Sequence, residues 1–118
     1  MRIRYYPKGE SGDVQEYLRA LRRDPRTMKA AVKLDIDLQT LEEFWPETLN
    51  VTVRRLKGWE PLLEIKRRYD RAGYRIFFCV RRDELWLLSA YEKHSEGAPR
   101  SELEKAYGRM QLVLGERR

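Results

Sequence analysis

The spacing of apolar residues changes several times along this chain, and each change marks an element. In "MRIRYY" apolar and polar residues alternate, which predicts a first strand ended by Pro7, Gly9 and Gly12. Val14, Tyr17, Leu18 and Leu21 then recur at helical spacing, with Asp13 and Glu16 placed like a capping box at the start. Asp24-Pro25 opens a second helix, the aspartate as cap and the proline in the first turn. Its apolar positions are Met28, Ala31, Leu34, Leu38, Leu41 and Trp45, and Pro46 stops it after about 20 residues, or about 30 Å.

Residues 46–61 hold two prolines and a glycine, with alternation only around Val51 and Val53, so they read as a long connection with one edge strand. Three strands follow closely: "LLEIKRRY" (62–69), "YRIFFCV" (74–80) and "ELWLLSAYEK" (84–93). The gaps between them are hairpin length, which predicts an antiparallel meander. Ser101 and Glu104 form a second capping box before a last helix with Leu103, Tyr107, Met110 and Leu114 on one face. The fold class is α+β, an antiparallel sheet whose long helices cover one face and leave the other free for function.

Side chains alternate across a strand, so the two faces can be separated from the sequence. Leu63 and Ile65 oppose Glu64, Lys66 and Arg68; Ile76, Phe78 and Val80 oppose Arg75, Phe77 and Cys79; Trp86, Leu88 and Ala90 oppose Leu87, Ser89, Tyr91 and Lys93. With the more apolar sets against the helices, the other face collects Lys66, Arg68, Arg75, Phe77, Tyr91 and Lys93. Cations interleaved with rings suit RNA, the cations for phosphates and the rings for unpaired bases. Lysines at strand ends also block edge pairing, so Lys93 has a structural reading beside the functional one. Arg75 opens an otherwise apolar central strand, where a cation needs a partner or a task.

Composition narrows the chemistry. The 118 residues fit a single domain, 1–118, and the formal net charge of +6 makes phosphate a plausible partner. One cysteine, Cys79, and one histidine, His94, exclude an internal disulfide and a typical zinc shell. No Gly-rich phosphate loop or nucleophile elbow is present, and no cofactor is expected. No apolar run approaches the roughly 20 residues of a membrane span, and the N-terminal residues lack the apolar core of a signal peptide. A cytoplasmic protein with no membrane partner is expected.

Leu56, Gly58, "LLEIK", "YRIFF", "WLLSAYEKH", Pro99, Glu102 and Ala106 occur in an order that resembles the RelE/HigB superfamily of toxins from toxin–antitoxin systems, most closely its phage-derived HigB-like branch. The family pattern falls on Leu63-Glu64-Ile65-Lys66, Tyr74-Arg75-Ile76, Tyr91-Glu92-Lys93-His94, and Pro99, Glu102-Leu103, Ala106 and Arg109. The resemblance implies a RelE-like fold and a metal-independent endoribonuclease that enters the ribosomal A site and cuts messenger RNA. It also implies a cognate helix-turn-helix antitoxin. Such cleavage transfers the phosphoryl group to the neighbouring 2′-hydroxyl, which needs a base, cations for the growing phosphate charge and an acid for the departing oxygen.

Under that resemblance Arg75, Lys93, Lys66 and His94 are the candidate catalytic residues, and Arg68, Tyr91, Phe77 and Arg67 the candidate RNA-binding ones. Two positions depart from the pattern. Lys66 replaces the usual arginine of the second strand and loses the bidentate fork, for which Arg67 or Arg68 is a possible stand-in. His94 replaces the second lysine of a Lys-Lys pair; it reads either as an acid or base near neutrality or as a solvated turn residue. Tyr91 reads either as a stacking platform or as a ring resting on Phe77. The competing functions are a non-catalytic RNA- or ribosome-binding module, and a decayed phage homologue that only docks to an antitoxin. A DNA-binding module is the weakest reading, because no basic recognition helix is evident.

Overall fold

The computed structural model describes residues 1–93 and 99–115. In chain order the elements are β1 (Arg2–Tyr5), α1 (Asp13–Arg23), α2 (Met28–Phe44), β2 (Thr52–Arg55), β3 (Leu63–Tyr69), β4 (Ala72–Arg81), β5 (Glu84–Lys93) and α3 (Arg100–Leu114). The five strands form one sheet in the order β1-β5-β4-β3-β2. The expected meander of β3, β4 and β5 is present, β2 is an edge strand antiparallel to β3, and β1 lies parallel to β5. The sheet is therefore mixed, and the architecture is α+β with a RelE-like arrangement of helices.

The hairpin turns are tighter than the sequence suggested. Asp70 and Arg71 alone join β3 to β4, both at positive φ (49° and 72°), the backbone that matches a two-residue turn to the twist of its strands. Three helix starts also differ from expectation, and Asp13, Asp24 and Glu104, assigned to caps, have other partners. Gly12, not Asp13, occupies the cap of α1, and the Asp13 carboxylate lies 2.8 Å from Arg109 Nη2. Asp24 ends α1, accepting a hydrogen bond from the Arg26 backbone N–H at 2.9 Å, so Asp24-Pro25 belongs to the turn and α2 begins at Met28. Ser101 lies inside α3, which starts after Pro99, and Glu104 accepts from Arg100 Nε at 3.0 Å.

Both faces of β4 are buried. On one, Ile65, Ile76, Phe78, Leu85 and Leu87 pack against Val14, Leu18 and Leu21 of α1 and Ala31, Leu34, Leu38 and Leu41 of α2. On the other, Phe77, Cys79 and Leu88 pack with Leu62 beneath Ala106 and Met110 of α3. The second sheet face, expected to be free, is thus half covered by the last helix, and only the part near the ends of β3, β4 and β5 opens to solvent. No helix among the described residues is long and apolar enough to cross a membrane.

A bulge in β5 corrects one facial assignment. Phe77 pairs with Ser89 but Phe78 pairs with Leu87, so Leu88 is an extra residue. Leu87, grouped from the sequence with Ser89, Tyr91 and Lys93, is buried in the core under α1 and α2, whereas Leu88 faces α3.

Candidate functional site

Strand register places the candidate residues in rows across the α3 side of the sheet. One row runs Thr52–Lys66–Arg75–Tyr91 through β2, β3, β4 and β5, with each neighbour directly opposite the next. Beside it lies Arg68–Gly73–Lys93, and on the side toward α3 lies Arg54–Glu64–Phe77–Ser89. Alternation brings these side chains to one face, and the bulge keeps Tyr91 and Lys93 in phase with Arg75. Gly73 makes room for the guanidinium: a Cβ there would lie 2.9 Å from Arg75 Nη1.

The rows open into a cleft of about 340 Å³ lined by Arg54, Arg55, Lys57, Trp59, Glu64, Arg75, Lys93 and Leu103. At its base sits Glu64, 2% exposed, with its carboxylate 3.7 Å from Arg75 Nε and 4.0 Å from Arg54 Nη1. Burial raises the Glu64 pKa, and the surrounding cations oppose the rise. Arg75 is itself buried and donates from Nη1 to the Tyr74 carbonyl at 3.3 Å. The Lys66 amine is pushed below its ordinary value, first by desolvation and then by Arg54 and Arg75, while Glu64 acts in the opposite sense. Tyr91 is pushed up to about 12, chiefly by burial and then by Glu64, so its phenol keeps its proton near neutrality. Its hydroxyl has no hydrogen-bond partner among the described residues.

This arrangement can seat an anion over Lys66, Arg75 and Lys93, with an amine of lowered basicity and a protonated phenol at the same register level. A larger hollow, about 490 Å³ near the α1–α2 turn, is lined by Asp24, Asp70 and Glu92 with Tyr17, Tyr69 and Tyr74. Its one cation among the described residues, Arg26, is paired with Asp24 at 3.2 Å, and the excess of carboxylates is the wrong chemistry for phosphate.

The sequence-derived candidates separate into three groups. Lys66, Arg75, Tyr91 and Lys93 come together, with Arg68 exposed at the outer end of the same face. Phe77 is fully buried under α3 and stacks on Tyr91 with ring centroids 5.6 Å apart, so it supports the tyrosine and presents no surface to a base. Arg67 points to the opposite face, donating from Nε to Asp37 Oδ2 of α2 at 2.9 Å, because adjacent residues of a strand face opposite ways. It cannot stand in for the missing arginine. His94 lies outside the described residues.

Arg54, Arg55, Lys57 and Trp59 were not anticipated, nor was a role for Glu64 at the cleft base. The alternation at Val51 and Val53 carried a signal for Arg54: if Val53 faces the helices, Arg54 faces away from them.

A small α+β protein with this strand order, a helix pair on one sheet face and a basic cleft on the other belongs to the RelE-like class. The family model "phage derived protein Gp49-like (DUF891)" matches residues 16–111, and the chain belongs to that family. The Gp49-like family is a RelE/ParE-like toxin family of toxin–antitoxin systems. No curated protein and no solved structure matches the chain.

Proposed function

We propose that the protein is the toxin of a type II toxin–antitoxin module, from the HigB-like branch, and that it cleaves messenger RNA in the ribosomal A site. The observation that carries this reading is the row Lys66–Arg75–Tyr91 across three adjacent strands, with Lys93 at its edge. Membership of a toxin-like family supports it. A cytoplasmic location and a helix-turn-helix antitoxin belong to the same proposal.

In this mechanism the 2′-hydroxyl attacks the adjacent phosphorus, and the bond from phosphorus to the 5′-oxygen breaks. The products are a 2′,3′-cyclic phosphate and a 5′-hydroxyl. Arg75 and Lys93 stabilise the charge that grows on the phosphate, and Arg68 and Arg54 guide the strand. Lys66, opposite Arg75, holds the phosphate beside it, and His94 takes the proton from the 2′-hydroxyl. The Tyr91 hydroxyl is buried, so the tyrosine braces the row through its ring, stacked on Phe77, and the departing 5′-oxygen takes its proton from solvent.

The test is primer extension on a defined message in a purified translation system, comparing the parent with Arg75→Ala/Lys93→Ala. The proposal predicts new 5′ ends in register with codons, absent in the variant. If the folded parent binds ribosomes or RNA and yields no new ends, the catalytic claim falls and a binding module takes its place.

A further inference from the structure

Helix α2 carries two apolar faces. Its inner face, with Ala30, Ala31, Leu34, Leu38 and Leu41, is buried in the core. Met28, Val32 and Ile36 follow one another at intervals of four residues on the outer side and are 46%, 50% and 54% exposed. Leu49, 58% exposed, borders the same hollow as Ile36. Leu49 has φ 49°, a left-handed backbone unfavourable to leucine, so an apolar side chain is held at this surface against local preference. Six large apolar residues are exposed among the described residues, and four of them form this patch. Exposure concentrated in one patch marks an interaction surface more than scattered exposure does.

The charges beside the stripe indicate what it meets. Lys29 and Glu43 lie seven residues before and seven after Ile36, about two helical turns each way, so all three share one face. Both charged residues are exposed, and neither forms an ion pair among the described residues. We propose that the outer face of α2 pairs with the same face of a second copy of this chain, antiparallel about a two-fold axis at Ile36. The symmetry then sets Lys29 of each copy against Glu43 of the other, Val32 against Thr40 and Ile36 against itself. An isologous interface requires a self-complementary surface, and a basic residue and an acidic residue equidistant from an apolar centre satisfy that requirement. The face lies across the sheet from the cleft, so pairing leaves both clefts open and does not depend on the RNA-cleavage reading.

Sedimentation equilibrium from about 1 μM to about 1 mM tests the proposal, with circular dichroism melts to confirm that each variant is folded. The parent is expected to show a monomer–dimer equilibrium and Ile36→Glu to be monomeric throughout. Lys29→Glu, which sets two acidic residues together at each end of the contact, should weaken the dimer at least about tenfold. Lys29→Glu/Glu43→Lys should restore it, a rescue that a purely structural role for either residue would not produce. A parent that stays monomeric at the highest concentration overturns the proposal and leaves the face to a helix of another protein. A dimer unaffected by Ile36→Glu, or a charge swap that restores nothing, overturns it as well.

Discussion

Arg67→Ala separates a structural arginine from an RNA-binding one. The Arg67 guanidinium grips Asp37 with both arms, Nε to Oδ2 at 2.9 Å and Nη2 to Oδ1, and the Asp37 side chain is only 2% exposed against 27% for Arg67. The hydrogen bond to Asp37 is the main reason the Arg67 pKa is raised. Removing the arginine leaves a buried carboxylate without its counter-ion, which costs about 3–5 kcal/mol. Removing the aspartate should cost less, about 1–2 kcal/mol, because a partly exposed arginine can swing its head into water. Replacing both with apolar residues, as in Arg67→Met/Asp37→Leu, should bring stability back to within about 1 kcal/mol of the parent. Urea unfolding followed by tryptophan fluorescence reads these differences. With a slope of about 2 kcal/mol per molar urea, Arg67→Ala lowers the midpoint by about 1.5–2.5 M. RNA affinity and its salt dependence should stay at the parent values under conditions where the variant is folded. A midpoint shift below about 0.3 M, a larger loss for Asp37→Ala than for Arg67→Ala, or a reduced salt slope would refute the reasoning.

Other consequences are equally direct. Lys66→Ala and Lys93→Ala should each reduce the slope of log affinity for single-stranded RNA against log salt by about 0.7, measured by fluorescence anisotropy, if each contacts one phosphate. Tyr91→Phe removes a buried hydroxyl that has no partner, so it should raise stability by up to about 1 kcal/mol or leave it unchanged, and leave single-turnover cleavage at the parent rate. The raised pKa of Glu64 means that its ionisation is less favourable in the folded chain than in the unfolded one. The stability this contributes is therefore present below the ordinary value of 4.5 and is lost as pH rises through the folded value. Urea titrations across that range should show Glu64→Gln gaining on the parent as pH increases. Arg109→Ala loses the bond from Nη1 to the Leu88 carbonyl, 2.8 Å long and partly buried, and should cost about 2 kcal/mol in the same assay; the exposed Asp13 contributes little of that loss.

The parts of this fold that were legible in the sequence are those where a local pattern has one physical solution. "YRIFFCV" is apolar at both parities and lies centrally with both faces buried, and the β3–β4 and β4–β5 hairpins follow from their short polar gaps. Lys66 and Arg75 could be assigned to one face because β3 and β4 alternate without interruption from Leu63 to Phe77, and Lys93 joined them because Ser89, Tyr91 and Lys93 keep one parity after the bulge. Asp13 was misread as a cap because its partner, Arg109, is far along the chain and invisible to a local pattern, whereas Asp24 and Glu104 are engaged by the nearby Arg26 and Arg100. Phe77 was taken for a stacking platform because the stripe of α3 does not say which sheet face it will cover. Arg67 and Arg68 illustrate a different limit: alternation separates them, but only the buried Asp37 shows why the first is turned inward.

The bulge at Leu88 connects the two cores to the cleft. Leu85 and Leu87 fill the core beneath α1 and α2, and an unbroken alternation of two would carry Ser89, Tyr91 and Lys93 into that same core. The inserted residue resets the phase, so that Ala90 turns inward while Tyr91 stands opposite Arg75 and Lys93 opposite Gly73. The sequence "LWLLSAY" conceals this, because leucine and tryptophan make both parities apolar before the bulge. The same residue also fixes the helix over the second core: the Leu88 carbonyl accepts from Arg109, whose other arm reaches Asp13 and whose guanidinium lies 4.9 Å from the Tyr6 ring centre. Those contacts tie α3 to the start of α1, and with it Leu103, which forms one wall of the cleft. A single extra residue thus allows a strand to bury leucines on one side and present a tyrosine and a lysine on the other. It also supplies the anchor for the helix that borders them.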